Sequence, residues 1–153
     1  MLAVEVPRNT AKYPTTRASK ATPQAFPLER YEQRMLFQWA GLFSVRYPEL
    51  DLLFAIPNAG GYTGGFSRNA GRVANMKKEG VKPGVPDICL PVARGGYHAL
   101  YIEMKRQGTR AKSVSPDQLG WHLKLREAGN LVEVAPGFDT ARTTIIAYLE
   151  SGK

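Results

Sequence analysis

Three residues whose types and spacing suit catalysis stand close together in this chain: Asp87, Glu103 and, two positions further on, Lys105. Both acids lie in or beside apolar stretches that look like buried strands. A charge placed there is costly unless it is paired or bound to a metal. Residues 87–92 and 99–104 read as two short strands joined by "ARGGYH", whose adjacent glycines make a hairpin the expected connection. In an antiparallel pair the start of one strand lies beside the end of the next. Asp87 and Glu103 are therefore expected to meet at one edge of a sheet. Adjacent carboxylates repel unless a cation sits between them. Hard oxygen donors without a histidine or cysteine partner suit Mg²⁺, with Mn²⁺ able to substitute. Lys105 shares the strand face of Glu103 and could hold the attacking water or the phosphate under attack. A carboxylate pair on a divalent cation, with a lysine alongside, is machinery for phosphodiester hydrolysis. The cation activates water and offsets charge on the phosphate oxygens. The competing reading is an ion pair at a strand end. The acid-x-lysine triplet alone does not separate the two, because a chain of this composition gives about one such triplet by chance.

The rest of the composition narrows the partners. The formal net charge of +8, from 21 Lys+Arg against 13 Asp+Glu, favours a polyanion such as nucleic acid. Charge supports association but names no reaction. No apolar run approaches the length of a membrane span, and the N-terminus lacks the pattern of a signal peptide. The single cysteine, Cys89, cannot form an internal disulfide, and two scattered histidines make no zinc framework. A cytoplasmic setting is expected.

The elements that must position the three residues follow from periodicity. Residues 1–27, rich in Pro, Thr, Lys and Arg, read as a flexible basic arm or a strap, and residues 28–150 as a single domain. Leu28, Met35, Leu36, Trp39, Leu42 and Phe43 recur at helical spacing, so 28–47 is expected to be an amphipathic helix ended by Pro48. "DLLFAI" (51–56) reads as a buried strand. A glycine-rich loop follows, then a helix over 68–80 with Ser67 as its cap. "SPDQLGWHLKLREAGN" is the clearest helix. Ser115 is its N-cap, Pro116 stands at N1, Gln118 completes a capping box and Gly129 closes it. Residues 131–135 form a further strand. A last helix over 139–151 carries Ala141, Ile145 and Leu149 on one face. The expected fold is a single mixed α/β domain. Trp39 and Trp121 suit core positions better than base stacking, and His98 and His122 read as bystanders.

At this level of detail the chain resembles a known family. "GVPD" (84–87), "EMK" (103–105), "SPDQ" (115–118) and a leading helix with "YEQ" (31–33) together look like a VRR-NUC domain, a branch of the PD-(D/E)xK nuclease superfamily. The resemblance runs from about residue 28 to 148. It implies a restriction-endonuclease-like αβββαβ core with a mixed central sheet, one inserted helix (here 68–80) and a C-terminal helix. It also implies roles. Asp87 and Glu103 would be metal ligands assisted by the Met104 carbonyl, and Lys105 the catalytic lysine. Glu32 would reach the metal from the first helix, and Gln118 would complete the site. On residue type alone Glu32 is a solvated helix-face acid, and Gln118 needs no role beyond its capping box. The resemblance also suggests that Asn58, beside Gly60 and Gly61, contacts the phosphate backbone, where composition favours a plain turn. Arg68, Arg72, Lys77 and Lys78 could grip DNA phosphates, although such a charge run is usually a solvated face. Short standalone members of the family are similar to Holliday-junction resolvases. That implies a Mg²⁺-dependent DNA endonuclease acting on branched DNA as a homodimer. The alternatives are a less selective flap or end nuclease, or a basic DNA-binding protein without catalysis.

Overall fold

Two antiparallel strands, β2 (Ile88–Leu90) and β3 (Leu100–Lys105), form the expected hairpin, with Ile88 opposite Ile102 and Leu90 opposite Leu100. The connection between them carries a two-residue turn, closed by the bridge of Arg94 with Tyr97. Gly95 and Gly96 both take positive φ there, at 55° and 85°, which suits the primed turns that match strand twist.

The structure is a computed structural model that describes residues 28–57, 70–108 and 114–152. In chain order the other elements are α1 (Glu29–Phe43), a 3₁₀ turn (Pro48–Leu52), β1 (Phe54–Ala55), α2 (Ala70–Lys78), α3 (Pro116–Glu127), β4 (Leu131–Pro136) and α4 (Phe138–Glu150). The four strands lie in the order β1-β2-β3-β4. The first two pairings are antiparallel and β3 pairs with β4 in parallel, so the sheet is mixed. With α2 set aside as an insertion and α4 as an addition, the order is αβββαβ, as expected.

Strand alternation divides β3 between two environments. Leu100, Ile102 and Met104 point into one core with Leu36 and Trp39 of α1 and Ala141, Ile145 and Leu149 of α4. Tyr101, Glu103 and Lys105 point the other way, toward α3, which crosses over between the parallel strands. Both faces of β3 are thus covered. The expected face of α4 is wholly buried: Ala141, Ile145 and Leu149 are each 0 % exposed. The α1 and α4 helices are tied at both ends. Phe138 N donates to Glu32 at 2.8 Å, and the Tyr47 hydroxyl donates to Glu150 at 2.7 Å. The two helices therefore run parallel.

Three expectations are corrected. Residues 51–56 do not form a buried strand. Proline at 48 starts a 3₁₀ turn that runs through Leu52, and only Phe54 and Ala55 pair with β2, on an exposed edge. The apolar content of that stretch goes instead into Leu50 and Leu53, which the turn directs inward. On α1, Leu28, Leu42 and Phe43 are exposed, because the helix ends at Phe43 and the core reaches only its middle turns. Trp39 is in the core, but Trp121 is half-buried at the surface. The arm over 1–27, the Ser67 cap and the glycine-rich loop lie outside the described residues.

The turn before β2 depends on one backbone conformation. Gly84 has φ +84°, and a Cβ there would lie 2.7 Å from the Asp117 carbonyl carbon, in the first turn of α3. Gly84→Ala is therefore expected to destabilise the fold by about 1–3 kcal/mol. By contrast Gly41, inside α1 with open space around it, is expected to gain up to about 1 kcal/mol on Gly41→Ala. Chemical denaturation of both variants checks the sign of each.

Candidate active site

Carrying the β2–β3 register one residue past Ile88–Ile102 sets Asp87 opposite Glu103. The two acids therefore meet at the sheet edge, as the spacing predicts. One residue further, Met104 faces Pro86, which has no N–H to give to the Met104 carbonyl. The Met104 N–H itself donates to Asp87 Oδ2 at 2.9 Å rather than continuing the ladder. The proline of "GVPD" thus ends the pairing where the two carboxylates begin.

Glu103 and Lys105 are two residues apart on one strand face, so their side chains meet: Lys105 Nζ lies 3.0 Å from Glu103 Oε1. Gln118 joins them from α3. Its Nε2 donates to Glu103 Oε1, and its Oε1 accepts from Lys105 Nζ at 3.3 Å. The same Oε1 accepts from Ser115 N at 2.9 Å while Ser115 Oγ accepts from Gln118 N at 3.2 Å, which is the capping box. The capping box is present, and the same side chain also reaches Glu103. Capping fixes its rotamer, and the fixed rotamer delivers the amide to Glu103.

Burial governs the electrostatics. Glu103 is 1 % exposed. Desolvation raises its pKa to about 7, the nearby Asp87 charge adds to that rise, and Lys105 works against it. His122, one helical turn beyond Gln118, is also buried, and Nε2 lies 3.9 Å from Glu103 Oε2. Neither of those two atoms has a hydrogen-bond partner. Desolvation, with Arg126 and Lys105 nearby, lowers the pKa of His122, so the ring is neutral at neutral pH. His122 is thus no bystander to the geometry. The i, i+4 spacing from Gln118 puts both side chains on one helix face, but that spacing alone does not mark a histidine. Glu29 was also missed. It accepts from Arg106 N at 3.1 Å and adds to the rise at Glu103.

Glu32 is buried rather than solvated, yet its Oε2 accepts from Phe138 N and serves the start of α4. Gly137, which precedes α4, takes φ +85°, a backbone conformation that favours glycine. Lys77 and Lys78 are exposed in the last turn of α2. Arg72 lies within α2, but its side chain, like Asn58 and Arg68, is outside the described residues.

Comparison with known proteins bears directly on this constellation. Residues 65–139, the segment that contains Asp87, Glu103, Lys105 and Gln118, match the VRR-NUC domain. The chain carries a VRR-NUC domain. A solved structure described as a VRR_NUC domain protein is similar over 84 % of this chain and 93 % of its own, with 28 % identity and a TM-score of 0.66. No curated protein matches the sequence. A VRR-NUC domain is a nuclease domain of the PD-(D/E)xK type, so the reaction class is phosphodiester hydrolysis in DNA. Members of this family generally use divalent metals.

The residues present fit such a cation. Asp87 is near enough for its charge to act on Glu103, Glu103 Oε2 is unpartnered, and the extended register sets the Met104 carbonyl against a proline. All are hard oxygen donors. Among the described residues no set of three or more His, Cys, Asp and Glu gathers into a cage.

A raised carboxyl pKa couples stability to pH. The folded chain holds the Glu103 proton up to about 7, whereas the unfolded chain loses it near 4.5. The folded state binds more protons in that window, so metal-free stability falls as pH rises through it. Mg²⁺ is expected to restore the loss, and more strongly as pH rises. Glu103→Gln should flatten the pH dependence and abolish the Mg²⁺ effect. Thermal melts with and without Mg²⁺ across the window check both.

Proposed function

We propose that the chain is a Mg²⁺-dependent, structure-selective DNA endonuclease, a Holliday-junction resolvase acting as a homodimer, with residues 28–150 as its nuclease unit and 1–27 as a basic arm. The observation that carries the reading is the pair Asp87 and Glu103 at one sheet edge, with Lys105 and Gln118 clasped on Glu103. Asp87, Glu103 and the Met104 carbonyl would hold the metal, with Glu32 behind them on α1. When bound, the ion activates water and neutralises charge on the phosphate. Asp87 and Glu103, which raise each other's cost of ionisation here, would both be held as carboxylates in that state. Lys105, whose ammonium sits at 3.0 Å from Glu103 Oε1, would be the group that turns to the phosphate or the attacking water. Gln118 would keep Glu103 oriented, because the capping box anchors it independently of Lys105. Arg68, Arg72, Lys77 and Lys78, with Asn58, would contact the DNA backbone.

The resolvase part of the reading rests on size and symmetry. One small domain spans only part of a four-way junction. Two cuts related by a two-fold axis call for two sites related the same way.

Asp87→Ala and Lys105→Ala are expected to slow cleavage by about 100-fold or more. DNA binding should persist, because affinity comes mainly from basic residues. Mg²⁺ or Mn²⁺ should support cleavage and Ca²⁺ should support it poorly, since its coordination is looser. Full activity in EDTA, or wild-type speed in Asp87→Ala, would overturn the assignment. Lys77→Ala should leave the chemical step unchanged and reduce the salt dependence of binding by a slope of about 0.9.

For assembly and selectivity, sedimentation should give a dimer, and a labelled four-way junction should be cut at paired symmetric positions faster than linear duplex. A strict monomer nicking all duplexes equally would leave a nuclease and remove the resolvase.

A further inference from the structure

One surface feature beside the site is used by none of the roles assigned so far. Trp121 stands three residues past Gln118 on α3, half-buried at the edge of a groove of about 630 Å³. That volume lies within the range of ligand-sized clefts. Two ammonium groups lie over the indole: Lys82 Nζ at 6.0 Å and Lys124 Nζ at 5.9 Å from the ring centroid. Pro83 and Pro116 wall the groove, and Gly120 leaves its floor open, with nothing within 4 Å of where a Cβ would be. The lone acid in the lining, Asp117, is outnumbered by the lysines. The groove shares α3 and the turn before β2 with the candidate active site. Lys82 and Pro83 precede Gly84, whose backbone packs against Asp117, and the same turn ends at Asp87.

An aromatic plate flanked by flexible cations is the composition that holds a nucleobase and its phosphates. An exposed cation–π contact is worth less than a stacked base, so a base can displace the ammonium groups from the ring while their long stems carry them to the phosphates. Gln118 and Trp121 are three residues apart on α3, about 4.5 Å along its axis, so a base stacked on Trp121 would lie near a phosphodiester held at Glu103. Paired bases in a duplex keep their faces covered by stacking, so only an unpaired nucleotide can use the plate.

We propose that the groove over Trp121 is a stacking subsite for one unpaired nucleobase of the substrate, with Lys82 and Lys124 holding the phosphates that flank it. The inference rests on the nuclease reading of the neighbouring site and deepens it. The chain selects DNA with an unpaired nucleotide beside the cut, as at a branch point or a flap.

The test uses the full chain carrying Asp87→Ala, so that the probe survives, with a fluorescent oligothymidylate and a fluorescent blunt duplex as ligands. Adding Trp121→Ala is expected to weaken oligothymidylate binding about tenfold while duplex binding stays within about twofold. Trp121→Phe should retain most of the affinity and guards against a folding defect. Lys82→Ala and Lys124→Ala should each lower the salt slope for the oligothymidylate by about 0.7. Unchanged oligothymidylate affinity in Trp121→Ala, an equal loss for duplex, or no oligothymidylate binding by the parent chain would each overturn the proposal. Cleavage by the unsubstituted chain is scored separately. Cleavage together with binding that ignores Trp121 removes only the subsite. Trp121-dependent binding without cleavage in any metal removes only the nuclease.

Discussion

A carboxylate buried in the middle strand of the sheet sets the terms for the rest of the structure. Glu103 is as inaccessible as the leucines and isoleucines around it, and β3 cannot bury it without providing partners. Lys105 supplies charge from the same strand and Gln118 supplies a donor from α3. Each of these has its own requirement. Gln118 must be fixed, which the Ser115 capping box does, and α3 must stay seated on the strand face, which its contact with the Gly84 turn secures. The balance remains incomplete, since Glu103 Oε2 and His122 Nε2 are both buried without partners. A polar cluster left short in this way stores a preference for something that completes it. The opposite face of β3, filled with Leu100, Ile102 and Met104, supplies the packing that holds the strand against that local deficit.

The parts of the fold that could be read from sequence are those fixed by local rules. The capping box at Ser115 and Gln118, the glycine closing α3 and the apolar face of α4 came out as expected because a few neighbouring residues determine them. The hairpin was legible because two glycines must turn somewhere, and its register then delivered the pairing of Asp87 with Glu103. The strand expected over 51–56 failed because an apolar run is equally compatible with a 3₁₀ turn, and only the surrounding core decides which residues face inward. The extent of α1 was overestimated for a related reason. Apolar spacing marks a helical face but not how far the core extends along it.

In the candidate site, residue types announced the chemistry but not the partners. Asp87, Glu103, Lys105 and Gln118 could be assembled from motifs. His122 could not, because a lone histidine in a helix has no distinguishing pattern, and its meaning comes from lying one turn from Gln118 over the same carboxylate. Glu32 illustrates the opposite case. Its burial was foreseen only through the family resemblance, while its bond to the start of α4 depends on where a distant segment arrives. Trp121 was misplaced because an aromatic at helical spacing looks the same whether it faces a core or a cleft.

The direction in which the chain runs through its helices has a consequence of its own. Three helices begin around the far end of β3. In the first turn of α1, Glu29 accepts from Arg106; α4 follows Gly137, whose N–H donates to the Lys105 carbonyl; and α3 delivers Gln118 from its opening turn. Each such beginning carries about half a positive charge from aligned peptide dipoles. Together they form a cationic focus made of backbone alone. It does not titrate, it is unaffected by replacing surface lysines, and it helps carry the acids gathered there. The sign of that fixed pole at this end of the sheet is set by nothing more than which end of each helix the chain enters first.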